Sequence, residues 1–425
     1  MITKLKGMYD IYGANASKFL YIKQKAEYIS DLYNYKYIKT PVMESSELFH
    51  RSVGESSDIV MKETYNLTDR ANRSLTLRPE GTAGIVRSYI ENKMYSDNKL
   101  TKLYYFDSMY RYERPQKGRN REFYQYGIEA LGGIDYLVDT EVITLGYNFL
   151  NELGIKNVKV KINSLGDIKS KENYRNALVE YFKPYISSMC EDCQNRYLKN
   201  PLRILDCKVD ANIDSMKNVP LMEDYLTKES KEYFENIKKM LDDMGIEYEV
   251  DNNLVRGLDY YSEVVFEYFS INDEGLNFAI GGGGRYNSLV KELGDVDAPA
   301  IGFGLGIDRL MLLLDDVKND ALDAYIIYSN NEEKEKGLLL LDNLRMNNYK
   351  VDMNYTSSNI KTQYKNADNL ESKFYIIVSI DDIKNSQVKV KNSKSKKEEL
   401  VNLLELNDYL SGMLDFGGYD EEDIY

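Results

Sequence analysis

RYERPQKGRNREFYQYGIE, residues Arg111–Glu129, carries five cations in its first eleven residues (Arg111, Arg114, Lys117, Arg119 and Arg121), in a chain of formal net charge -14. KLYYFDSMYRYE (Lys102–Glu113) leads into it, and EFYQYGIEALG (Glu122–Gly132) leads out of it. Both alternate apolar and polar residues with the period of a strand, so the pattern predicts an antiparallel hairpin with its cations on the connecting loop. A loop of Arg and Lys is ordinarily solvated surface. Three other stretches argue against that reading here.

SLTLRPEGT (Ser74–Thr82) reads as a strand ending in a Pro-fixed turn, which holds the Glu80 carboxylate in a rigid place suited to a ligand ammonium group. LVRGLDYY (Leu254–Tyr261) sets Arg256 at a strand-turn junction beside Tyr260 and Tyr261. GIDRLMLLL (Gly306–Leu314) puts Arg309 in the first turn of an apolar helix, where the helix dipole disfavours a cation and an anion would relieve it. Two glycine runs, AIGGGGRY and GFGLG, are either tight bends or strands stripped of side chains so that something flat can lie on the sheet. Neither GxxxxGK[ST] nor a helix-opening GxGxxG occurs, so a bound nucleotide would lie on an antiparallel sheet.

The remaining segments extend this frame. Ser17–Asn34 has helical spacing and YKYIKTPV reads as a strand ending near Pro41; Glu141–Ile155 and Tyr233–Met244 read as helices, and NVKVKINSLGD as a strand with a turn. EYEVDNNLVRGLDYYSEVVFEYF reads as two strands around a turn. Between them, residues 168–225 are charged, helical and cysteine-bearing, the pattern of an insertion. Beyond residue 320, DAYIIYS, KVDMNY, FYIIVSI and QVKVKN read as strands and EEKEKGLLLLDNLRMNN and KEELVNLLEL as helices, which predicts a small α/β domain over 321–425 ending in a loose acidic tail.

A length of 425 residues suits roughly two to four compact cores. No apolar run reaches the roughly 18 residues of a membrane span and no secretory signal is visible, so a cytoplasmic location is expected. The acidic balance argues against non-specific coating of nucleic acid, while leaving room for one basic groove. Cys190, Cys193 and Cys207 suit a reducing compartment. CEDC could open a zinc site, but no fourth Cys and no nearby His completes one, since His50 lies far upstream; reduced thiols in a small subdomain are expected.

These residues together resemble the histidyl-tRNA synthetase family of class II aminoacyl-tRNA synthetases. The long helix and the strand at Pro41 resemble motif 1, YRYERPQKGRNREFYQ motif 2, and GFGLGIDRLMLLL motif 3. LVRGLDYY and AIGGGGRYN resemble the two peptides that set the histidine enzymes apart from their relatives. Tyr112 and Tyr124 stand where many members have His, which keeps a ring and a polar tip.

The resemblance covers nearly the whole chain and implies an α+β catalytic domain on an antiparallel sheet over 1–320, interrupted by the helical insertion, followed by an anticodon-binding α/β domain. It implies ATP-dependent activation of L-histidine and transfer to tRNA(His), with ATP and Mg2+ as cofactors and a homodimer through motif 1. Arg111 would hold the α-phosphate, Arg309 the terminal phosphates, and Arg256 the α-phosphate with the histidine carboxylate. Glu113 and Arg119 would also meet ATP. Glu80, Gly81, Thr82 and Gln125 would grip the substrate ammonium end; Glu129 and Tyr261 would address the imidazole, with Tyr260 lining the pocket. Lys117, Arg119 and Arg121 would face the tRNA acceptor end, and KVKNSKSKK (Lys389–Lys397) would be a second basic patch. The alternatives are a synthetase-like regulatory paralogue of histidine biosynthesis, a proline or threonine synthetase, and a non-catalytic nucleic-acid-binding module. Eroded motifs and a missing C-terminal domain would mark the first, LVRGLDYY disfavours the second, and the third would have no use for Glu80 or Arg309 in their settings.

Overall fold

A computed structural model describes residues 1–53, 62–96, 100–205, 207, 209–256, 260–271, 277–317 and 321–415. It forms two compact units, Met1–Val317 and Lys318–Tyr425. Strands of the first are β1 (Lys36–Tyr37), β2 (Met43–Ser45), β3 (Tyr65–Thr68), β4 (Ser74–Leu77), β5 (Thr101–Tyr110), β6 (Glu122–Leu131), β7 (Val158–Ser164), β8 (Tyr248–Val250), β9 (Ser262–Ile271), β10 (Asn277–Tyr286) and β11 (Ala300–Gly306). Eight of them make one sheet in the order β1-β5-β6-β11-β10-β9-β7-β8, and β2-β4-β3 make a second, smaller one.

The cation hairpin forms as its alternation predicts: β5 and β6 pair antiparallel from Thr101 opposite Leu131 to Tyr110 opposite Glu122. Pairing stays antiparallel through the middle of the sheet and turns parallel at its two edges, β1 with β5 and β8 with β7. EYEV and SEVVFEYF are therefore not partners in a hairpin as their proximity suggested; β7 lies between β8 and β9. The glycine runs are strands, not tight bends: Gly281–Gly284 of β10 pair with Gly302–Leu305 of β11.

Period-two alternation divides β6 between two environments. Tyr126, Ile128 and Ala130 enter a core built with Ile22, Ala26 and Ile29 of the helix Ala14–Leu32, Val142 and Phe149 of the helix Tyr136–Glu152, and Ile237 and Leu241 of the helix Lys228–Asp243. Gln125, Gly127 and Glu129, one residue out of phase, face the opposite side of the sheet. Burial of each large apolar side chain stabilises by about 1.5–3 kcal/mol, so slipping β6 by one residue would carry the core set to the polar site face and force Gln125 and Glu129 into the apolar core. A fully buried charged pair crosses this layer: Arg285 of β10 donates from Nε to both oxygens of Asp139 at 3.0 and 2.9 Å, and Tyr233 donates to the same carboxylate at 3.0 Å.

Within the insertion, the described residues form helices Ile168–Phe182 and Glu191–Lys199 with short 3-10 turns and no strand. Tyr174, Leu178, Phe182, Met189, Ile204 and Met222 give it a core of its own, which Cys193 and Cys207 join. Cys190, Cys193 and Cys207 converge there with Asp210, a fourth donor that a count of Cys and His alone overlooks.

The second unit carries β12 (Ala324–Ile327), β13 (Val351–Met353), β14 (Phe374–Ile377), β15 (Gln387–Asn392) and β16 (Glu398–Asn402), in the order β13-β12-β14-β15-β16. KEELVNLLEL, expected as a helix, instead supplies β16, and the helix begins later, at Leu406–Asp415. Tertiary pairing overrides the local propensity: buried Val401 sits opposite Val388, and Lys391 reaches Glu398 at 2.7 Å. The same pairing ties up part of the basic patch, since Lys397 is bonded to Glu399 as Lys391 is to Glu398. The acidic tail lies almost wholly outside the described residues. No helix among the described residues is long and apolar enough to cross a membrane.

Candidate active site

The open face of the sheet holds a cleft of about 440 Å³ that Arg111, Arg256 and Arg309 all line. Each guanidinium is tethered on one side. Arg111 donates from Nε to the Pro79 carbonyl at 2.8 Å and lies over the Phe123 ring at 5.3 Å. Arg256 donates from Nη1 to Glu267 at 2.8 Å, while its buried Nε has no hydrogen-bond partner among the described residues. Arg309, in the first turn of the helix Ile307–Leu313, donates from Nη1 to the Ala279 carbonyl at 2.6 Å. Burial and the nearby Arg119 and Arg111 push the Arg309 guanidinium below its ordinary value, against the pull of Glu267 and Glu113. A desolvated guanidinium held beside like charges suits an anion.

The floor is bare sheet: Gly281 of β10 and Gly304 and Gly306 of β11 line the cleft beside Gln125. At the hairpin, Glu113 lies 3.9 Å from Arg111 and 3.5 Å from Arg119. Asp308 pins this hairpin in place. Its carboxylate accepts from Tyr9 Oη at 2.6 Å, Asn120 Nδ2 at 2.8 Å and the Tyr124 amide at 3.1 Å, the last at the point where β11 stops pairing with β6.

Deeper in the same face, a second group of polar side chains is closed off from water. Glu80 caps the helix Thr82–Glu91, accepting from the Thr82 and Ala83 amides at 2.7 and 2.9 Å. Thr82 Oγ1 donates to Glu129 at 2.6 Å, and the Tyr286 hydroxyl donates to the other Glu129 oxygen. Burial pushes the Glu129 carboxyl up to about 8, against the lowering effect of those two hydroxyls, and pushes Glu80 up as well. The Tyr260 and Tyr261 rings stand 4.7 Å apart, and Tyr260 meets Tyr286 edge-on at 5.5 Å. Two glycines make the room: a Cβ on Gly302 would strike Glu129, and one on Gly127 would strike the Tyr105 ring.

Comparison with known proteins shows the family. Residues 7–310 match the family model described as Histidyl-tRNA synthetase, and residues 323–413 match the model described as Anticodon binding domain. The chain belongs to the histidyl-tRNA synthetase family. The histidine--tRNA ligase of Acholeplasma laidlawii is 44% identical over 417 residues, which is 97% of this chain and 99% of that one. That of Bacillus cytotoxicus is 43% identical, with 96% and 98% covered. The crystal structure of apo S. aureus histidyl-tRNA synthetase superposes with a TM-score of 0.82 at 38% identity, covering 96% of this chain and all of that one.

For a member of the histidyl-tRNA synthetase family, most of the expected residues come together. Arg111, Glu113, Arg119, Gln125, Arg256 and Arg309 line the cleft; Glu80, Gly81, Thr82, Glu129, Tyr260 and Tyr261 are buried around the inner group. Lys117 is exposed at the hairpin tip beside the Gly118 turn. Arg121 is occupied otherwise, with its guanidinium 3.9 Å from the Tyr112 ring centroid and Nε donating to the Glu113 carbonyl at 3.2 Å. Tyr124 points away from the cleft and meets Phe19 edge-on at 4.8 Å. Gly257–Asp259 of LVRGLDYY lie outside the described residues.

Sequence reasoning missed Tyr105 and Tyr286 of the inner group, Asp308, and two cations from the insertion, Arg196 and Arg203, that line the cleft. Tyr286 was legible, since it follows the glycine run in AIGGGGRY on the phase that faces inward. Arg196 and Arg203 carried no local signal, because only the packing of the insertion brings them to the sheet.

Proposed function

We propose that this chain is a histidine–tRNA ligase that activates L-histidine with ATP and transfers it to the 3′ end of tRNA(His). The observation that carries the proposal is the convergence of Arg111, Arg256 and Arg309 on a glycine floor, next to a buried chamber of carboxylates and phenols. A flat adenosine suits the floor, and fixed guanidiniums suit phosphates because each meets two oxygens and never deprotonates. A chamber lined by buried carboxylates and phenols rejects amino acids without ring nitrogens more strongly than an apolar pocket could.

In this reading the histidine carboxylate attacks the α-phosphorus of ATP, a bond to the new acyl oxygen forms, and pyrophosphate leaves with the bonding pair of its bridging oxygen. The terminal ribose hydroxyl of the tRNA then attacks the acyl carbon, the acyl–oxygen bond to the phosphate breaks with its pair going to AMP, and the hydroxyl proton passes to the departing phosphate. The attacking carboxylate is already ionised at neutral pH, so the residues act by position and by opposing the negative charge that builds on the phosphate. Arg111 and Arg256 flank the α-phosphate, Arg256 also reaches the histidine carboxylate, and Arg309 meets the terminal phosphates. Glu80, Thr82 and Gln125 hold the ammonium group, and Glu129 with Tyr261 addresses the imidazole. Glu113 and Glu267, hard oxygen donors in the cleft, fit Mg2+ entering with ATP and would hold it; bound there, it would neutralise phosphate charge. Lys117 and Arg119 meet the tRNA acceptor end, the second unit meets the anticodon, and two copies pair through the first helix and its strand.

Histidine-dependent exchange of pyrophosphate into ATP by the purified protein tests the reading. Exchange is expected with histidine and with no other standard amino acid. A folded protein that charges no label into ATP with histidine present would overturn it.

A further inference from the structure

Outside the catalytic cleft, the insertion gathers four metal-binding donors with nothing of the ligase mechanism to explain them. Cys190, Cys193, Cys207 and Asp210 each offer one ligand atom, and these atoms all lie within 4.8 Å of one another. Three of the four residues are buried, Cys190 being half-buried. We propose that these four side chains bind a structural zinc ion.

The spacing is doubled: CEDC places Cys190 and Cys193 with two residues between them, and CKVD places Cys207 and Asp210 in the same way. Two such knuckles facing each other are the form of a closed tetrahedral zinc site, in which a carboxylate can replace one thiolate. A zinc with Zn–S bonds of about 2.3 Å keeps its sulfur ligands about 3.8 Å apart. Cys190 and Cys207 sulfurs stand 3.6 Å apart, and Cys207 Sγ lies 3.9 Å from Asp210 Oδ2. Little movement is needed to close the site.

Surrounding bonds favour the charged ligands. The Cys190 amide donates to Asp210 Oδ2 at 3.0 Å, and the Asp210 amide donates to Cys207 Sγ at 3.4 Å, holding the two knuckles in register. Cys190 is the N-cap of the helix Glu191–Lys199, whose positive end stabilises a thiolate. Asp210 is only 6% exposed, and among the described residues no Lys or Arg forms an ion pair with it. A buried carboxylate without a cation is costly, and a divalent metal supplies the missing charge. The donor set is soft, so it selects zinc over magnesium or calcium. Binding releases three thiol protons and leaves Asp210 as the fourth, anionic ligand.

The insertion has reason to need such a staple. It is a helical segment with a small core, where a metal can supply stability that burial alone does not. The site also fixes both ends of the segment that bears Arg196 and Arg203, the two cations it lends to the cleft.

The test is metal content of the full-length protein, purified without chelator from zinc-supplemented medium and measured by inductively coupled plasma mass spectrometry. One zinc per chain is expected, released by a mercurial reagent together with exposure of all three thiols. Cobalt added to the stripped protein should give the intense visible bands of a tetrahedral cobalt thiolate. Asp210→Cys should keep the metal, and Cys193→Ser and Cys207→Ser should lose it. Metal-free protein whose three thiols react freely and which gives no cobalt bands would overturn the proposal. So would a protein that holds a Cys190–Cys207 disulfide as purified and binds neither metal after reduction. Because the cobalt spectrum is read on the unaltered chain, the test stands even where a serine variant fails to fold.

Discussion

At Arg256 the side chain is held by Glu267 on one edge, and its Nε has no partner among the described residues, so its value lies in where the planar fork points. Lysine keeps the charge and loses the fork. Arg256→Lys should therefore lower kcat/KM for pyrophosphate exchange by roughly 100-fold or more, a loss of about 2.7 kcal/mol in transition-state binding. Exchange within a few fold of the parent would remove Arg256 from the proposed role. Glu129 offers a second test. Its folded carboxyl titrates at about 8, above an ordinary value of 4.5. Across that interval the folded chain keeps a proton that the unfolded chain gives up, so the contribution is complete below 4.5 and falls as pH rises through 8. Glu129→Gln has nothing to titrate there. Its ligand-free Tm should lose a pH dependence worth up to about 1.4 kcal/mol per pH unit in this window, and identical slopes in the two proteins would refute the assignment.

Among elements, a fully buried ion pair joins the sheet to a helix. Arg285 of β10 reaches Asp139 in the helix Tyr136–Glu152, and no solvent screens either charge. Arg285→Met removes one partner and leaves a buried carboxylate, so unfolding free energy should fall by about 3–5 kcal/mol, read as a lower denaturant midpoint with an unchanged m-value. A shift under about 1 kcal/mol would show that water reaches the pair. The hairpin between β5 and β6 was readable from its alternation because a strand's period is a local property. KEELVNLLEL was not: its sequence suits a helix, and it becomes β16 because Val401 and Glu398 find partners on β15.

For the whole molecule, charge is concentrated where two polyanions would meet, against a net charge of -14. Removing Lys117 and Arg119 together, as alanines, should weaken tRNA binding and reduce the salt slope of log K by about 0.7 for each cation, the value for single-stranded contacts. Unchanged affinity and slope would return both residues to ordinary solvated surface. Taken alone, the sequence determined the hairpin of β5 and β6, the two-environment alternation of β6, and the three guanidiniums Arg111, Arg256 and Arg309 of the cleft. Those features follow from spacing along the chain, which sets which face a side chain takes. Only the tertiary structure decided that Arg196 and Arg203 reach the cleft, that β7 separates β8 from β9, and that Asp210 completes a set of donors with three cysteines. Each joins groups remote in sequence, and such convergence is set by how buried surfaces pack against one another, a quantity with no local period to read.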